Sequence, residues 1–296
     1  MRTNCLYVLV ALLLSAVLFS CVPQQKATTH QQQLAVLDSQ LMAHSLKLKE
    51  LEAKRQTKQT DNEIDDTASN RIQKYIGVTT TEIDKLVAQN SILIGNTVVE
   101  REDWNKLKNA LALSKETSKL IADKVNFIND LINRNMVVKL DQDVLFEPGK
   151  YTVSSAVAQA IGKFFEPAAK EIDLFTQKYP DFPLSLVITA KGYADGTTIA
   201  EGSSLYKDLV EGIKLSGVKP DDKELNKELS RKRAAAVIEL FKLYTKDRST
   251  MGGSVRNIIF VTEGKGESLP SNKVGDYNLA DARRRVVLLF WSVFPE

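Results

Sequence analysis

Leu34, Leu37, Leu41, His44, Leu48 and Leu51 stand alternately three and four residues apart, and this spacing limits what the chain can become more than any other feature. A helix places residues so spaced on one stripe, the a/d seam of a short coiled coil. His44 occupies a seam position, either as a tolerated polar residue or as a pH sensor. Residues 52–66 are charged and polar, so the stripe fades there. A second helical stripe runs through Trp104, Leu107, Leu111, Ser114, Ile121, Val125, Ile128 and Ile132, with Gly77 and Gly95 as breaks between the two. The pattern predicts a helical, coiled-coil stalk over residues 34–134, which allows a homo-oligomer. Extended, it would reach on the order of 150 Å at about 1.5 Å per residue. Folded back, it would form a hairpin or bundle, and spacing alone leaves both open. Residues 22–135 lack repeated ten-residue alternating strands, which excludes a transmembrane barrel there.

From residue 136 the texture changes to short apolar runs separated by helical patterns. "MVVKL" and "VLF" predict a strand pair or bent strand, and "EPGK" a turn. Residues 154–179 carry Val157, Ile161, Phe165, Ala168, Ile172, Phe175 and Tyr179 on one helical face, with a kink expected at Pro167. "LSLVITAKGYAD" reads as a buried strand leading into a polar loop. Asp221 or Asp222 caps a helix reaching about residue 244, and "SVRNIIFVTEGKG" and "RRRVVLLFWSV" supply two more strands. The order is βαβαββ, an α/β (α+β) sandwich over residues 136–296 with helices on one face of a mixed sheet, preceded by the α-helical segment.

The inventory excludes several function classes. Forty Lys and Arg against 37 Asp and Glu give a net charge of +3, too small for a nucleic-acid footprint. The only cysteines are Cys5 and Cys21 and the only histidines His30 and His44. Ser-His, Cys-His and zinc chemistry therefore have no residues in the distal body, and neither metal nor cofactor is expected.

Arg2 precedes an apolar run over residues 6–19, shorter than the ~20 residues of a membrane-spanning helix. Residues 1–20 read as a signal peptide ending in "LFSC", which resembles a bacterial lipobox. That resemblance implies cleavage before Cys21 and acylation of its thiol and new amine, with palmitate as the expected kind of chain. The competing reading is an uncleaved signal anchor. Each buried methylene contributes about 0.8 kcal/mol, so several chains on Cys21 would anchor permanently. Residues 21–33 are polar and aperiodic, a flexible tether. By resemblance to lipoprotein sorting rules, Val22 in place of an aspartate favours the outer membrane of a Gram-negative envelope, facing the periplasm.

"NKELSRKRAAAV" begins at Asn226. Asn226, Ser230 and Arg233 are spaced i, i+4, i+7 and share one helical stripe beside that of Leu225, Leu229, Ala236 and Leu240, which places the polar trio on the border of the buried face. Together with "GYAD" at residues 192–195, "GKGE" at 264–267 and "RRRV" at 283–286, this helix resembles the OmpA-like C-terminal domain, a peptidoglycan-binding family, over residues 137–294. The resemblance implies a ligand, the diaminopimelate of the wall's stem peptide, bound by Asp195 through its ammonium and by Arg233 through its carboxylate. Asn226 would orient the loop or contact the peptide, and Ser230 would steady the motif. Against this stands a plain Asp195–Arg233 structural ion pair. Arg284 and Arg285 open the last strand as supporting residues, one directed to the cleft and the other to solvent. Two departures from the family pattern are an insertion over residues 197–224, which could be a lid or a partner-binding surface, and Arg283 where the family usually has asparagine.

The expectation is a non-catalytic outer-membrane lipoprotein that binds peptidoglycan and tethers membrane to wall. One alternative is a wall-anchored scaffold for an envelope protein machine. Another is a peptidoglycan hydrolase pairing Asp195 with Glu201 or Glu263.

Overall fold

A computed structural model describes residues 24–134, 137–180, 184–213, 219–246 and 255–295. The leader and residues 21–23, Cys21 among them, lie outside the described residues. Residues 24–33, expected as flexible tether, are instead the first turns of a helix, because Gln, Lys and Ala form helix at little cost and Ala27 packs in one cluster with Leu34. The chain divides into two compact units, one of Met1–Glu52 with Lys74–Asn129 and one of Ala53–Gln73 with Asp130–Glu296. Three long helices run through the first part of the chain: α1 (Gln24–Thr60), α2 (Asp66–Ile94) and α3 (Arg101–Asn133). Among the described residues no helix is long and apolar enough to cross a membrane.

In the first unit the helical stripes fold back on one another. Leu34, Leu41 and Leu48 of α1 are fully buried, while Leu37 and His44 are only half-buried. Leu34 packs with Ala27, Val99, Leu107 and Leu111. One seam position is polar: Asn90 donates to the Asp38 carboxylate at 2.6 Å and to the Ser114 hydroxyl at 3.0 Å, and all three side chains are buried. Burial raises the pKa of Asp38, with the Asn90 hydrogen bond opposing the shift. A polar group so enclosed is tolerated because its partners come from the other two helices, which also fixes their register.

The second unit is the α/β sandwich. Its elements are β1 (Val137–Asp141), α4 (Gln142–Leu145), α5 (Ser155–Ala160), α6 (Gly162–Lys178), β2 (Leu184–Gly192), α7 (Ser204–Ile213), α8 (Asp222–Lys246), β3 (Val255–Gly264) and β4 (Val286–Pro295). With α4 to α6 in the first connection, and α7 and α8 in the second, this is the expected βαβαββ order. The sheet order is β1-β4-β2-β3. β4 runs antiparallel to both neighbours, and β2 runs parallel to β3, which requires a crossover that α8 supplies. Every residue of β2 is buried, as a central strand covered on both faces must be.

The even-numbered residues of β2 face α6 and α8, whose Phe165 and Phe241 meet edge to face at 5.1 Å. The odd-numbered face is covered as well, by the turn and helix start within residues 61–73. Buried Lys191 lies 5.3 Å from the Phe290 ring centroid and reaches Asp66 at 3.2 Å, and Arg71 stacks over Phe294. Two local expectations change. "VLF" is not a strand, because the Asp141 carboxylate caps the Asp143 N–H and turns residues 142–145 into one helical turn. The helix expected over residues 154–179 breaks at Ile161, whereas Pro167 lies inside the continuous α6.

Candidate ligand-binding cleft

α8 starts with a reciprocal cap: the Asp221 carboxylate accepts from the Glu224 N–H at 2.8 Å, and Glu224 accepts from the Asp221 N–H at 3.0 Å. The helix then lies almost on the backbone of β2 and β3. A Cβ at Gly192 would stand 2.0 Å from the Ser230 carbonyl oxygen, and one at Gly264 would stand 2.2 Å from that of Lys227. Gly192 and Gly264 are paired across the two parallel strands, so both strand ends must lack side chains for α8 to settle. This is the physical content of the first glycines in "GYAD" and "GKGE". Ser230 completes the contact: its hydroxyl accepts from the Gly266 N–H at 3.0 Å and donates to the Lys227 carbonyl at 2.8 Å. Gly266 itself has φ +54°, a conformation glycine adopts at little cost.

Asn226, Ser230 and Arg233 are therefore buried at the helix–sheet contact, with 2%, 0% and 7% of their surface exposed. They do not sit at its border, as helical spacing had suggested. The difference arises because Leu225 and Leu229, the neighbouring stripe, are covered by α7 of the insertion through fully buried Leu209.

Beyond Gly192 the chain is fixed by backbone bonds. Tyr193, Ala194 and Gly196 donate to the carbonyls of Val286, Gly266 and Leu279 at 2.9, 2.7 and 2.7 Å. These hold Asp195 at the mouth of a cleft of about 670 Å³, whose lining also includes Asn226, Arg233, Arg285, Asp143 and Phe146. Asp195 and Arg233 thus share the cleft without pairing. The Asp195 carboxylate accepts from Arg285 Nη1 at 2.9 Å. Arg233 makes no ion pair among the described residues. It donates to the Lys150 carbonyl at 3.0 Å and to Gln142 Oε1 at 2.6 Å, and its guanidinium lies 5.4 Å from the Phe146 ring centroid.

The charges form an asymmetric pattern. Arg285 bridges two carboxylates, Asp195 and Asp143, the latter through Nε at 2.9 Å. The Arg285 hydrogen bond lowers the Asp143 pKa below the usual carboxylate range, and Asp143 followed by Asp195 raises that of Arg285. Burial lowers the pKa of Arg233, while Asp143 and Asp195 pull it back up. The result is an anionic side held by one shared guanidinium and a cationic side held by neutral acceptors. A small ligand bearing both signs matches that layout.

The remaining sequence-predicted residues divide. Asn226 donates to Glu267 Oε1 at 3.0 Å and to the Thr197 carbonyl at 3.3 Å, so it ties the motif helix to two loops of the cleft. Arg284 does not face solvent. Residues 282–284 form a 3-10 turn rather than strand, and Arg284 is buried, donating to the carbonyls of Asn278, Leu279 and Glu267. It stitches a loop, while Arg285 reaches the cleft. Arg283 pairs with Asp281 and Asp276 instead. Neither Glu201, paired with Lys219, nor Glu263, paired with Lys265, lines the cleft.

The sequence reading missed Gln142 and Asp143. Gln142 is buried and donates to the Tyr193 and Val286 carbonyls at 2.8 and 2.9 Å while accepting from Arg233. Its signal, a polar "DQD" interrupting apolar runs, was readable as a cap but gave no hint of its remote partners. Among the described residues no cluster of His, Cys, Asp or Glu could hold a metal ion.

The fold and the cleft together define an α/β sandwich of βαβαββ order, preceded by a helical segment and presenting a doubly charged groove at the ends of β2 and β3. The chain is similar to crystal structures of the periplasmic domain of Helicobacter pylori MotB. Three of these share 20%, 20% and 16% identity with it, cover 53% of this chain and 74%, 78% and 72% of theirs, and superpose with TM-scores of 0.29, 0.26 and 0.27. No family model matches the chain, and no curated protein matches it. The likenesses are distant, so the function is argued from the geometry of the cleft.

Proposed function

We propose that the cleft binds the diaminopimelate of peptidoglycan stem peptides and that the protein is an envelope anchor rather than an enzyme. The carrying observation is that Asp195 and Arg233 open onto one cleft with Arg233 uncommitted to any carboxylate. In this reading the ligand carboxylate takes the Arg233 guanidinium, and its ammonium joins Asp195 and Asp143 beside Arg285. Asn226 sets the loop positions, Ser230 holds α8 on the strand ends, and Arg284 supports the loop over residues 267–279. Charge-assisted hydrogen bonds contribute about 1.5–3 kcal/mol each, so one head binds weakly and the wall lattice supplies the hold through many copies.

A lipid anchor on Cys21 completes the reading, with the outer membrane at one end and the periplasmic wall at the other. The Leu34, Leu41 and Leu48 stripe is buried within the chain, so tethering needs no coiled-coil partner. Hydrolysis is disfavoured on chemical grounds. A glycosidase needs two carboxyl groups flanking one cleft, whereas Glu201 and Glu263, the partners considered for Asp195, pair with Lys219 and Lys265 and do not line it. Scaffolding of an envelope machine is compatible with wall binding and would use surfaces outside the cleft.

The test is co-sedimentation of Asp195→Asn and Arg233→Lys variants with diaminopimelate-containing sacculi, each checked for retained fold by circular dichroism. Both should lose about tenfold or more in affinity. Unchanged binding in both removes the site, and release of soluble wall fragments by the native protein removes the non-enzymatic reading.

A further inference from the structure

We propose that the insertion following Asp195 builds a second, uncharged compartment of the cleft, and that this compartment takes the amide backbone and alanine methyl group adjoining the zwitterionic residue of a stem peptide. This rests on the reading that the charged end grips diaminopimelate, and it assigns the rest of the cavity.

The cleft is about 670 Å³, within the roughly 300–1,000 Å³ of pockets that enclose ligands much larger than one amino acid. Its two ends differ in chemistry. Asp143, Asp195, Arg233 and Arg285 cluster at one end, and Lys150 is the other charged residue of the lining. The insertion contributes Thr198, Ile199, Ala200, Ser203, Ser204 and Leu205 to the lining, with no charged side chain among them. This stretch therefore offers a ligand hydroxyls and apolar side chains in place of the ion-pairing groups of the charged end.

The hydroxyls of that wall are half-committed in complementary ways. Thr198 donates to the Asp222 carboxylate at 3.0 Å and keeps lone pairs to accept with. Ser203 accepts from the Tyr206 N–H at 3.0 Å and keeps its proton to donate. One acceptor and one donor suit the N–H and C=O of a peptide unit. Ile199 and Leu205 offer apolar contact of the size a methyl group fills.

The wall is fixed relative to the charged end. Leu209 of α7 is fully buried against Leu225 and Leu229, and Leu229 lies on α8 between Asn226 and Arg233. The Gly196 N–H bond to the Leu279 carbonyl and the Asn226 bond to the Thr197 carbonyl close the other side. The insertion therefore extends the site as a standing wall, and its spacing from Arg233 is set by one helix.

Calorimetric titration with two probes tests this: free meso-diaminopimelate and a stem tetrapeptide ending in D-alanine amide, so that the alanine adjoining the diaminopimelate is uncharged. The native protein should bind the tetrapeptide about tenfold or more tightly than the free amino acid. Ala200→Trp fills the uncharged end from an exposed position and should abolish that advantage while leaving affinity for the free amino acid unchanged. Ser204→Trp, also exposed, repeats the test should the first variant fold poorly. Equal affinity of the native protein for both probes, or equal weakening of both by a folded variant, overturns the second compartment and leaves the charged site standing. Binding of neither probe by the native protein overturns both readings.

Discussion

Gln142→Glu isolates the central electrostatic claim, because it changes the charge facing Arg233 with little change of shape. In the native protein Arg233 Nη1 donates to Gln142 Oε1 at 2.6 Å, a neutral acceptor that leaves the guanidinium's charge available. A carboxylate at that position would pair with Arg233 and compete with the ligand's own carboxylate. Losing one charge-assisted interaction of about 1.5–3 kcal/mol corresponds to roughly 10- to 150-fold weaker binding. The substitution also removes two donors, to the Tyr193 and Val286 carbonyls, at about 1 kcal/mol each. Gln142→Met is the control: it forfeits the same donors but leaves Arg233 uncompensated, so stability falls while the ligand carboxylate keeps its partner. Titration with meso-diaminopimelate and urea denaturation measure the two effects separately. If Gln142→Glu folds and binds like the native protein, or if Gln142→Met loses affinity as severely, the idea that Arg233 is held in reserve for an anion is wrong.

Three further outcomes are expected. Gly192→Ala should cost at least about 2–3 kcal/mol and weaken ligand binding with it, because the new methyl group meets the Ser230 carbonyl at 2.0 Å and must push α8 outward. Gly77→Ala, in α2 with nothing within 4 Å of the new methyl, should be neutral or stabilising by up to about 1 kcal/mol in the same denaturation assay. Asp65 caps the Thr67 and Ala68 N–H groups at 2.9 and 3.2 Å, and burial raises its pKa. The native state then holds the proton more tightly than the unfolded state, so this group's contribution falls as pH rises through the window above its ordinary value. Asp65→Asn keeps the cap and should gain stability relative to the native protein, more at about pH 7 than at about pH 4. A stability difference that is constant across that range refutes the burial argument.

Much of the fold was legible because it depends on short-range pattern. The stripe through Leu34, Leu41 and Leu48 specified helix, a cap at Asp221 or Asp222 specified where α8 begins, and "LSLVITAKG" specified a buried strand. The stripe could not say what it packs against. An extended coil and a folded bundle bury the same leucines, and the packing of Leu34 on Leu107 and Leu111 and the bond from Asn90 to Asp38 show which partner won. The turn after α1 was equally silent, since its charged residues read as solvated until Asp66 is found at 3.2 Å from Lys191 of the sheet.

The cleft divides along the same line. Asn226, Ser230 and Arg233 could be placed on one stripe because helical periodicity is local. That Asp195 pairs with Arg285, that Gln142 holds Arg233, and that α7 turns Leu229 into the floor of an uncharged wall depend on residues far apart in sequence, which no spacing rule connects. The amino-acid order by itself determined which segments are helix or strand and which side chains lie on a common face, since these follow from backbone geometry over a few residues. Tertiary structure alone decided which charges neutralise one another and which remain open to a ligand. That choice is made by packing across the sheet ends, where glycines at 192 and 264 let a helix approach near enough to set every distance in the site.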